Sequence, residues 1–320
     1  MGRKVCGCGT DVADILIKVL VTGGTGFIGQ YCLSQLHEKG YEVHAVSSAP
    51  RESTVAVQWH HASLLDGPQT RALIRLIKPS HLLHLAWYTK HVKYWNSPEN
   101  LNWVQSSLAL IQEFTKAGGE RLVCAGSCAE YDWGHGTCVE DLTPLAPTTP
   151  YGTYKYALGL MLNTWCQQTG LSSAWGRVFS IYGPAEHPQR LVASVIRALL
   201  KREVVTCANP SLIRDYLHAE DVASAFVRLC ESRLEGAVNV GSGTAVTLRD
   251  LVETIAAKLD GRRLVNFGGS QATSKSEPQL LLPDITRLIS TGWKKRLDLD
   301  GGLDDTINWW KAQALSSPAQ

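Results

Sequence analysis

The chain has 320 residues, of which 44% are hydrophobic, and its 31 Lys and Arg nearly balance its 29 Asp and Glu. This length is enough for about two domains with a large buried core. The formal net charge of +2 does not indicate nucleic acid or a membrane surface as the main partner. Nine scattered cysteines are typical of a reducing compartment, so we expect a cytoplasmic globular protein.

Residues 1–14 are predicted to be an extension before the first strand. Cys6 and Cys8 in this segment could be half of a metal site, but no second Cys or His pair lies at a matching spacing. His60, His81 and His84 lie near predicted strands without Cys or carboxylate partners at ligand spacing. We therefore predict no metal site.

The first predicted strand, "ILIKVLVT" at 15–22, breaks into glycine and is followed by helical spacing at 30–39. The strand-then-helix unit recurs through "YEVHAVS", "TRALIRLI", "HLLHLAW", "ENLNWVQSSLALIQEFTKAG" and "RLVCAGS". This alternation predicts the α/β class, with a Rossmann-like, doubly wound parallel sheet in a dinucleotide-binding domain at 15–180. The rhythm becomes irregular after Gly183 and Pro184. This change predicts a smaller mixed α/β substrate domain at 181–320, some segments of which return to the first domain.

The turn "TGGTGFIG" after the first strand fits two glycine spacings that bind dinucleotides, one starting at Gly23 and the other at Gly24. Glycines allow a tight turn and close approach to a pyrophosphate, which the N-terminus of the next helix attracts. The turn therefore predicts cofactor contacts from Gly23, Gly26, Phe27, Ile28 and Gly29.

The end of the second strand indicates which dinucleotide is bound. An acidic residue here would bond the ribose of NAD, but "HAVSSAPRES" has Ser47, Ser48 and Arg51, with no carboxylate before Glu52. Hydroxyls and an arginine suit a 2′-phosphate. We predict NADP(H), with NAD(H) as the alternative and a solvated loop arginine as the other reading of Arg51.

In "TTPYGTYKYALG", Thr149 can cap a helix that starts at Pro150 and carries Tyr151 and Lys155 on one face. Such a pair also occurs by chance on helix surfaces. Ser127, at the end of "RLVCAGS", is predicted to emerge at the same end of the sheet as the cofactor. A tyrosine with a nearby lysine and serine suits proton transfer during hydride transfer at a carbon that bears oxygen.

From residue 15 to 310 the chain resembles the extended short-chain dehydrogenase/reductase family of nucleotide-sugar epimerases, dehydratases and reductases. The motifs that carry this resemblance are "TGGTGFIG", "HLLHLAW", "GSCAEY", "YGTYK", "GRVFSIYGP", "IRDYLHAEDVASA", "AVNVGSG" and "GWKKRLDLDGGLDDTINWW". The resemblance implies that Ser127, Tyr151 and Lys155 are the catalytic triad. It also implies that Arg214 binds the substrate diphosphate and that Leu85, Ala86 and Trp87 line the cofactor.

The chain also departs from the family pattern. Ser63, followed by Leu64, stands where the family commonly has an aspartate near the adenine. We predict that Ser63 and Leu64 contact the cofactor, without the aspartate that makes this contact in the family. Cys128 and Ala129 stand where sugar-nucleotide dehydratases carry an Asp-Glu pair. The absence of that acid–base pair argues against removal of the C6 hydroxyl.

Two segments are candidates for sugar contacts. "WYTKHVKYW" is unusually aromatic, so Trp87, Tyr88, Tyr94 and Trp95 could form a sugar-facing wall or simply pack in the core. His187 and Arg190 in "EHPQR" could contact phosphate or sugar hydroxyls, or lie in a solvated loop.

Together these features favour NADPH-dependent reduction of the keto group of a nucleotide-activated deoxysugar, such as a 4-keto-6-deoxyhexose. Within enzymes the alternative is a nucleotide-sugar epimerase with tightly bound NAD. A catalytically silent, dinucleotide-sensing regulator is the alternative from another class. The helices near 99–117 and 151–168 resemble those that pair across a dimer in this family, so we expect a homodimer.

Overall fold

The computed structural model describes residues 17–268 and 278–316, and the bounds below refer to these. The predicted N-terminal extension lies outside the described residues, as do Cys6 and Cys8. The seven described cysteines are free, and six of them are buried.

A seven-stranded parallel sheet forms the larger part of the molecule. It contains β1 (Lys18–Thr22), β2 (Glu42–Ser47), β3 (Gln58–His61), β4 (His81–His84), β5 (Arg121–Ser127), β7 (Ser172–Val178) and β11 (Gly236–Val240). The strands between these in sequence belong to the smaller part: β6 (Thr137–Cys138), β8 (Ser180–Tyr182), β9 (Val205–Cys207) and β10 (Ile213–His218). The large sheet runs in the order β11-β7-β5-β4-β1-β2-β3. The order reverses between β1 and β4, and ligands bind at the carboxyl ends of the strands beside such a switch point.

Helices cover both faces of this sheet. In chain order the helices are α1 (Gly29–Glu38), α2 (Gly67–Ile77), α3 (Glu99–Lys116), α4 (Pro150–Thr169), α5 (Leu191–Leu200), α6 (Ala219–Glu231), α7 (Leu248–Lys258), α8 (Thr286–Ser290) and α9 (Leu299–Ser316). Of these, α5, α7 and α9 share a separate apolar cluster in the smaller part of the molecule. On one face, Leu36 of α1 and Phe226 of α6 are buried in a single apolar cluster with β1. On the other face, Leu73, Phe114 and Leu162 of α2, α3 and α4 share a second cluster. The predicted α/β, doubly wound class is therefore confirmed.

The smaller part of the molecule contains two further sheets. The remaining strands are β12 (Ala245–Thr247), β13 (Val265–Phe267) and β14 (Leu280–Pro283). One sheet has the order β12-β10-β14-β6, with β8 beside β10, and the other pairs β13 with β9. Both β11 and α6 follow residue 181 in sequence but pack with the large sheet. The division at residue 181 stays a prediction.

Three details of the sheet differ from the expectation. Strand β3 was not expected, because "QWHH" is polar and only half-buried, whereas apolar runs are the signal for buried strands. Strand β4 ends at His84, so Leu85 to Trp87 form the loop after it rather than its last residues. Strand β1 begins at Lys18 among the described residues. The loop after β4 is important for the site, because it crosses above the glycine turn.

Candidate active site

A cleft of about 1500 Å³ opens at the carboxyl ends of the parallel strands. It brings together the glycine turn, the loop after β4, the start of α4 and the segment before α5. Of the predicted site residues, the following line it: Gly23, Gly26, Phe27, Ile28, Gly29, Ser47, Ser48, Ser63, Leu64, Leu85, Ala86, Trp87, Ser127, Tyr151, Lys155, His187, Arg190 and Arg214. Arg51 and Tyr88 are not among the described residues that line it.

The glycine turn is packed so tightly against neighbouring backbone that it excludes side chains at two positions. Gly23 has φ +71°, a left-handed conformation, and a Cβ there would lie 2.8 Å from the Ala86 nitrogen. A Cβ on Gly29 would collide with the Gly23 carbonyl oxygen. Helix α1 starts without a side-chain cap or an acidic residue in its first turn, so its N-terminal N–H groups and positive dipole end suit a diphosphate. These residues fit a dinucleotide.

A buried hydrogen-bond chain supports the loop beside this turn. Thr22 Oγ1 lies 2.7 Å from His84 Nδ1, and His84 Nε2 lies 2.8 Å from Ser107 Oγ. Thr22 Oγ1 also accepts a hydrogen bond from the Ala86 N–H at 3.2 Å. Burial, followed by the charge of Lys155, lowers the pKa of His84 to about 3, so this imidazole is neutral at physiological pH. His84 therefore has a structural role in this chain.

At the end of β2, only part of the predicted phosphate site reaches the cleft. Ser47 and Ser48 line it, while Arg51 is exposed and its guanidinium carbon lies 5.3 Å from the centre of the Trp59 ring. Trp59 belongs to β3, the strand that was not expected. This places the Arg51 guanidinium near the Trp59 ring, and its contact with a 2′-phosphate stays a prediction.

Helix α4 begins as the sequence predicts. Thr149 Oγ1 accepts a hydrogen bond from the Gly152 N–H at 3.1 Å, and Pro150 is the first helical residue. Gly152 lies against the Ala129 carbonyl oxygen, where a Cβ would collide. This close approach brings the start of α4 to the turn that contains Ser127.

The Tyr151 side chain is enclosed by aromatic rings. Its ring centre lies 4.9 Å from that of Tyr94 and 5.5 Å from that of Trp95, both edge-on. Burial, followed by Tyr94, raises the pKa of Tyr151, while a hydrogen bond with Ser127 acts in the opposite direction. The phenol is therefore protonated at neutral pH. Tyr88 packs instead against the apolar cluster beneath the cleft, with α3 and α4.

Lys155 is buried one turn after Tyr151. Its Nζ donates a hydrogen bond to the Ala125 carbonyl oxygen at 2.9 Å and lies 3.8 Å from the centre of the Trp87 ring. The Trp87 indole is itself fixed, because its N–H donates to Asn100 Oδ1 at 2.8 Å. Burial lowers the pKa of Lys155 to about 8, and the charge of Glu130 opposes this shift. Lys155 can therefore change its charge near physiological pH.

Glu186 is a cleft residue that the sequence analysis did not identify. It is 3% exposed, and its Oε1 lies 3.7 Å from Arg190 Nε. Its Oε2 has no hydrogen-bond partner in the part of the chain that the structure describes. Burial raises the pKa of Glu186 to about 7. Its position directly after "YGPA" gives no sequence signal for burial, since loop carboxylates are usually solvated.

The other predicted substrate residues approach from two sides. His187 stacks on His91 with ring centres 4.4 Å apart, which places this loop over the segment that carries Tyr94. Arg214 is buried on β10, and its Nη1 donates to the Ile213 carbonyl oxygen at 2.8 Å. Their contacts with substrate stay predictions.

Two further searches cover only residues 17–268 and 278–316. No group of three or more His, Cys, Asp or Glu side chains is placed there to hold a metal ion. No helix in these ranges is long and apolar enough to cross a bilayer.

Comparison with known proteins reveals one consistent group of relatives. A family model described as "NAD dependent epimerase/dehydratase family" matches residues 19–241. The UDP-glucose 4-epimerase of Rhizobium meliloti (strain 1021) is 25% identical, over 91% of this chain and 96% of its own length. UDP-glucuronic acid decarboxylase 1 of Danio rerio is 24% identical, over 92% of this chain and 73% of its own.

Solved structures show the same relationship. The UDP-glucose 4-epimerase of Thermus thermophilus, in complex with NAD, has a TM-score of 0.80 and 26% identity, covering 92% of this chain and 99% of its own. MoeE5, in complex with UDP-glucose and NAD, has a TM-score of 0.81 and 28% identity, covering 93% of this chain and 99% of its own. These two relatives bind NAD, and MoeE5 binds a nucleotide sugar.

Proposed function

This chain belongs to the NAD-dependent epimerase/dehydratase family, and on that premise we propose that it reduces the keto group of a nucleotide-activated deoxysugar with NADPH. The observation that carries the chemistry is the placement of Tyr151, half-buried, in the same cleft as Ser127. A tyrosine phenol, with an ordinary pKa of about 10, is protonated at neutral pH, which is the form that reduction of a carbonyl requires. Oxidation of an alcohol would instead require the phenolate.

In this proposal each residue has a separate task. When bound, the dinucleotide supplies the hydride. Tyr151 donates its proton to the carbonyl oxygen, and Ser127 donates a hydrogen bond that orients the same oxygen. Lys155, as an ammonium, stabilises the negative charge that remains on the Tyr151 oxygen. Tyr94 and Trp95 exclude water from this proton transfer by covering the ring.

The cofactor and substrate classes rest on different observations. Ser47 and Ser48 at the end of β2, with Arg51 three residues further along the chain, support NADP(H), because an acidic partner for the ribose hydroxyls of NAD is absent from this strand end. The relatives support a nucleotide-diphosphate sugar as substrate. Arg214 and Arg190, both lining the cleft, are the proposed partners of its diphosphate.

The second candidate is a nucleotide-sugar 4-epimerase with tightly bound NAD. The specific observation in its favour is the match to the epimerase of Rhizobium meliloti over nearly the full length of both chains. In an epimerase, Tyr151 would first accept a proton from the sugar hydroxyl and then return it. The same triad can perform this cycle without net consumption of cofactor.

An NADPH oxidation assay on a panel of 4-keto-6-deoxyhexose nucleotides tests the proposal. We expect loss of NADPH matched by formation of one alcohol product, and Tyr151→Phe as the matched control should be nearly inactive. Interconversion of UDP-sugars without added cofactor would instead identify the epimerase. Cofactor binding without either reaction would contradict both enzymes and favour the sensing regulator.

We further propose that the protein is a cytoplasmic homodimer. Leu101 of α3 and Leu160 and Met161 of α4 are exposed apolar residues, as a helix-paired interface would require. The free cysteines are typical of a reducing compartment. A monomer by light scattering at micromolar concentration would contradict the dimer.

A further inference from the structure

A buried carboxylate lies directly beneath the turn that carries Ser127. Glu130 is 1% exposed and accepts hydrogen bonds from the Ser127 N–H at 2.7 Å, Trp175 Nε1 at 2.9 Å and Arg177 Nε at 2.8 Å. In return, Ser127 Oγ accepts from the Ala129 N–H at 3.2 Å. Side chains at both ends of the turn therefore hydrogen-bond to its backbone, and the Glu130 side chain fixes the backbone of Ser127.

The same stretch of β5 also contacts Lys155. Ala125 accepts the Lys155 hydrogen bond, and Gly126 follows it. A Cβ on Gly126 would lie 2.7 Å from Glu130 Oε1, so the carboxylate packs directly on this backbone. The Trp175 indole, which donates to Glu130, has its ring centre 5.9 Å from Lys155 Nζ. The buried anion and the buried cation therefore share one short backbone segment and one aromatic side chain.

The groups that face these two charges come from several elements. Lys155 faces Cys124 of β5 and the neutral His84 of β4, besides Glu130. Burial lowers the pKa of Lys155, and the charge of Glu130 is the largest influence that raises it again. The ionisable groups around Glu130 itself are Arg177, Tyr131, Tyr151 and Cys128. Arg177 is the cation among them, so Glu130 is shared between two positive charges.

We propose that Glu130 is a positioning residue of the active site, which holds the Ser127 turn and supplies the negative charge that keeps the buried Lys155 in its ammonium form. The inference rests on the proposed roles of Ser127 and Lys155. It goes beyond an ion pair that only joins the turn after β5 to β7, because that role would need only Arg177. If Glu130 is a positioning residue, the charge of Lys155 depends on Glu130. If Glu130 only forms the ion pair with Arg177, the charge of Lys155 does not depend on it.

The direct test is the titration of Lys155 in the whole protein by NMR, with isotope-labelled lysine Cε and Lys155→Arg to assign the signal. Glu130→Gln should lower the pKa of Lys155 by about one unit, the scale of a lost neighbouring charge. Glu140→Gln is the matched control. Glu140 is another buried carboxylate in this region, and its Oε1 accepts from the Asn239 N–H at 2.7 Å. The control should leave the Lys155 titration unchanged.

An unchanged Lys155 pKa in Glu130→Gln, or an equal shift in Glu140→Gln, would overturn the proposal. If Glu130→Gln does not fold, Glu130→Asp moves the charge away by one methylene, and a smaller downward shift is expected. No shift there would equally overturn it. The titration needs no turnover, so a protein that reacts with no nucleotide sugar would refute the proposed function alone. Where turnover is present, its loss at alkaline pH should begin about one unit lower in Glu130→Gln.

Discussion

The two ends of the cleft are built in different ways. At the end that we propose binds the cofactor, backbone and small side chains define the surface, because Gly23 and Gly29 pack against backbone atoms that a Cβ would strike. At the end that we propose binds the sugar, large or ionisable side chains define it, and burial shifts the pKa values of Tyr151, Lys155 and Glu186. One end is therefore suited to binding a fixed diphosphate shape, and the other to moving a proton.

The largest expected effect is at the sugar end. Tyr151→Phe removes only the hydroxyl and should lower turnover by about a hundredfold or more, the scale of a lost general acid, while cofactor binding is kept. The measurement is steady-state turnover on the nucleotide sugar that reacts best. Tyr154→Phe is the control on the same helix, since Tyr151 lines the cleft and Tyr154 is not among the described residues that line it. Turnover that depends on Tyr154 and tolerates Tyr151→Phe would refute the proton-transfer role.

In the glycine turn, one added methyl group should weaken cofactor binding through a steric collision. Gly29→Ala places a Cβ against the Gly23 carbonyl oxygen, so the turn must open, and cofactor affinity should fall by at least about tenfold. Fluorescence titration with NADPH and NADH measures this. Gly67→Ala is the control, because a Cβ there meets nothing within 4 Å. Equal affinities in both variants would show that the turn does not carry the diphosphate.

Arg51→Ala tests whether the positive charge of Arg51 contributes to the binding of NADPH. Loss of a charged partner of a 2′-phosphate should weaken NADPH by roughly five- to tenfold and leave NADH unchanged. The ratio of the two dissociation constants is the readout. An equal loss for both cofactors, or a wild type that prefers NADH, would contradict the NADP(H) assignment.

Glu186→Gln should have the smallest effect on turnover and cofactor affinity, and its main effect should be on the free energy of unfolding. Because burial raises the pKa of Glu186 to about 7, the folded state binds the proton more tightly than the unfolded state. The stabilising contribution is fully present below the ordinary glutamate pKa and is lost as the pH rises through about 7. The variant should match wild type at about pH 4 and be more stable at about pH 8, by up to about 3 kcal/mol, the limit set by the pKa shift.

Urea unfolding at the two pH values measures this difference. Glu253→Gln, at an exposed position, is the control and should show no such change. A wild type that gains stability relative to Glu186→Gln as the pH rises would show that the Glu186 carboxylate is paired at neutral pH.

The local structure of the glycine turn was easier to predict from the sequence than the contacts around Ser127 and Glu186, for a physical reason. The glycine turn, the start of α4 and the alternation of strands with helices are local patterns, and each can be read within a few residues. The contacts of Glu130 with Trp175 and Arg177 join residues more than forty positions apart, and the burial of Glu186 depends on how its loop packs. Strand β3 was missed because its residues are polar, and its pairing with β2 decides its structure.

The most direct test of the central claim is deuterium transfer from NADPH labelled at its reactive nicotinamide position to a keto-sugar nucleotide. The account predicts one deuterium in the alcohol product for each NADPH consumed, with transfer reduced by about a hundredfold or more in Tyr151→Phe. Transfer that is equally fast without the Tyr151 hydroxyl, or the absence of deuterium from every product formed, would contradict it.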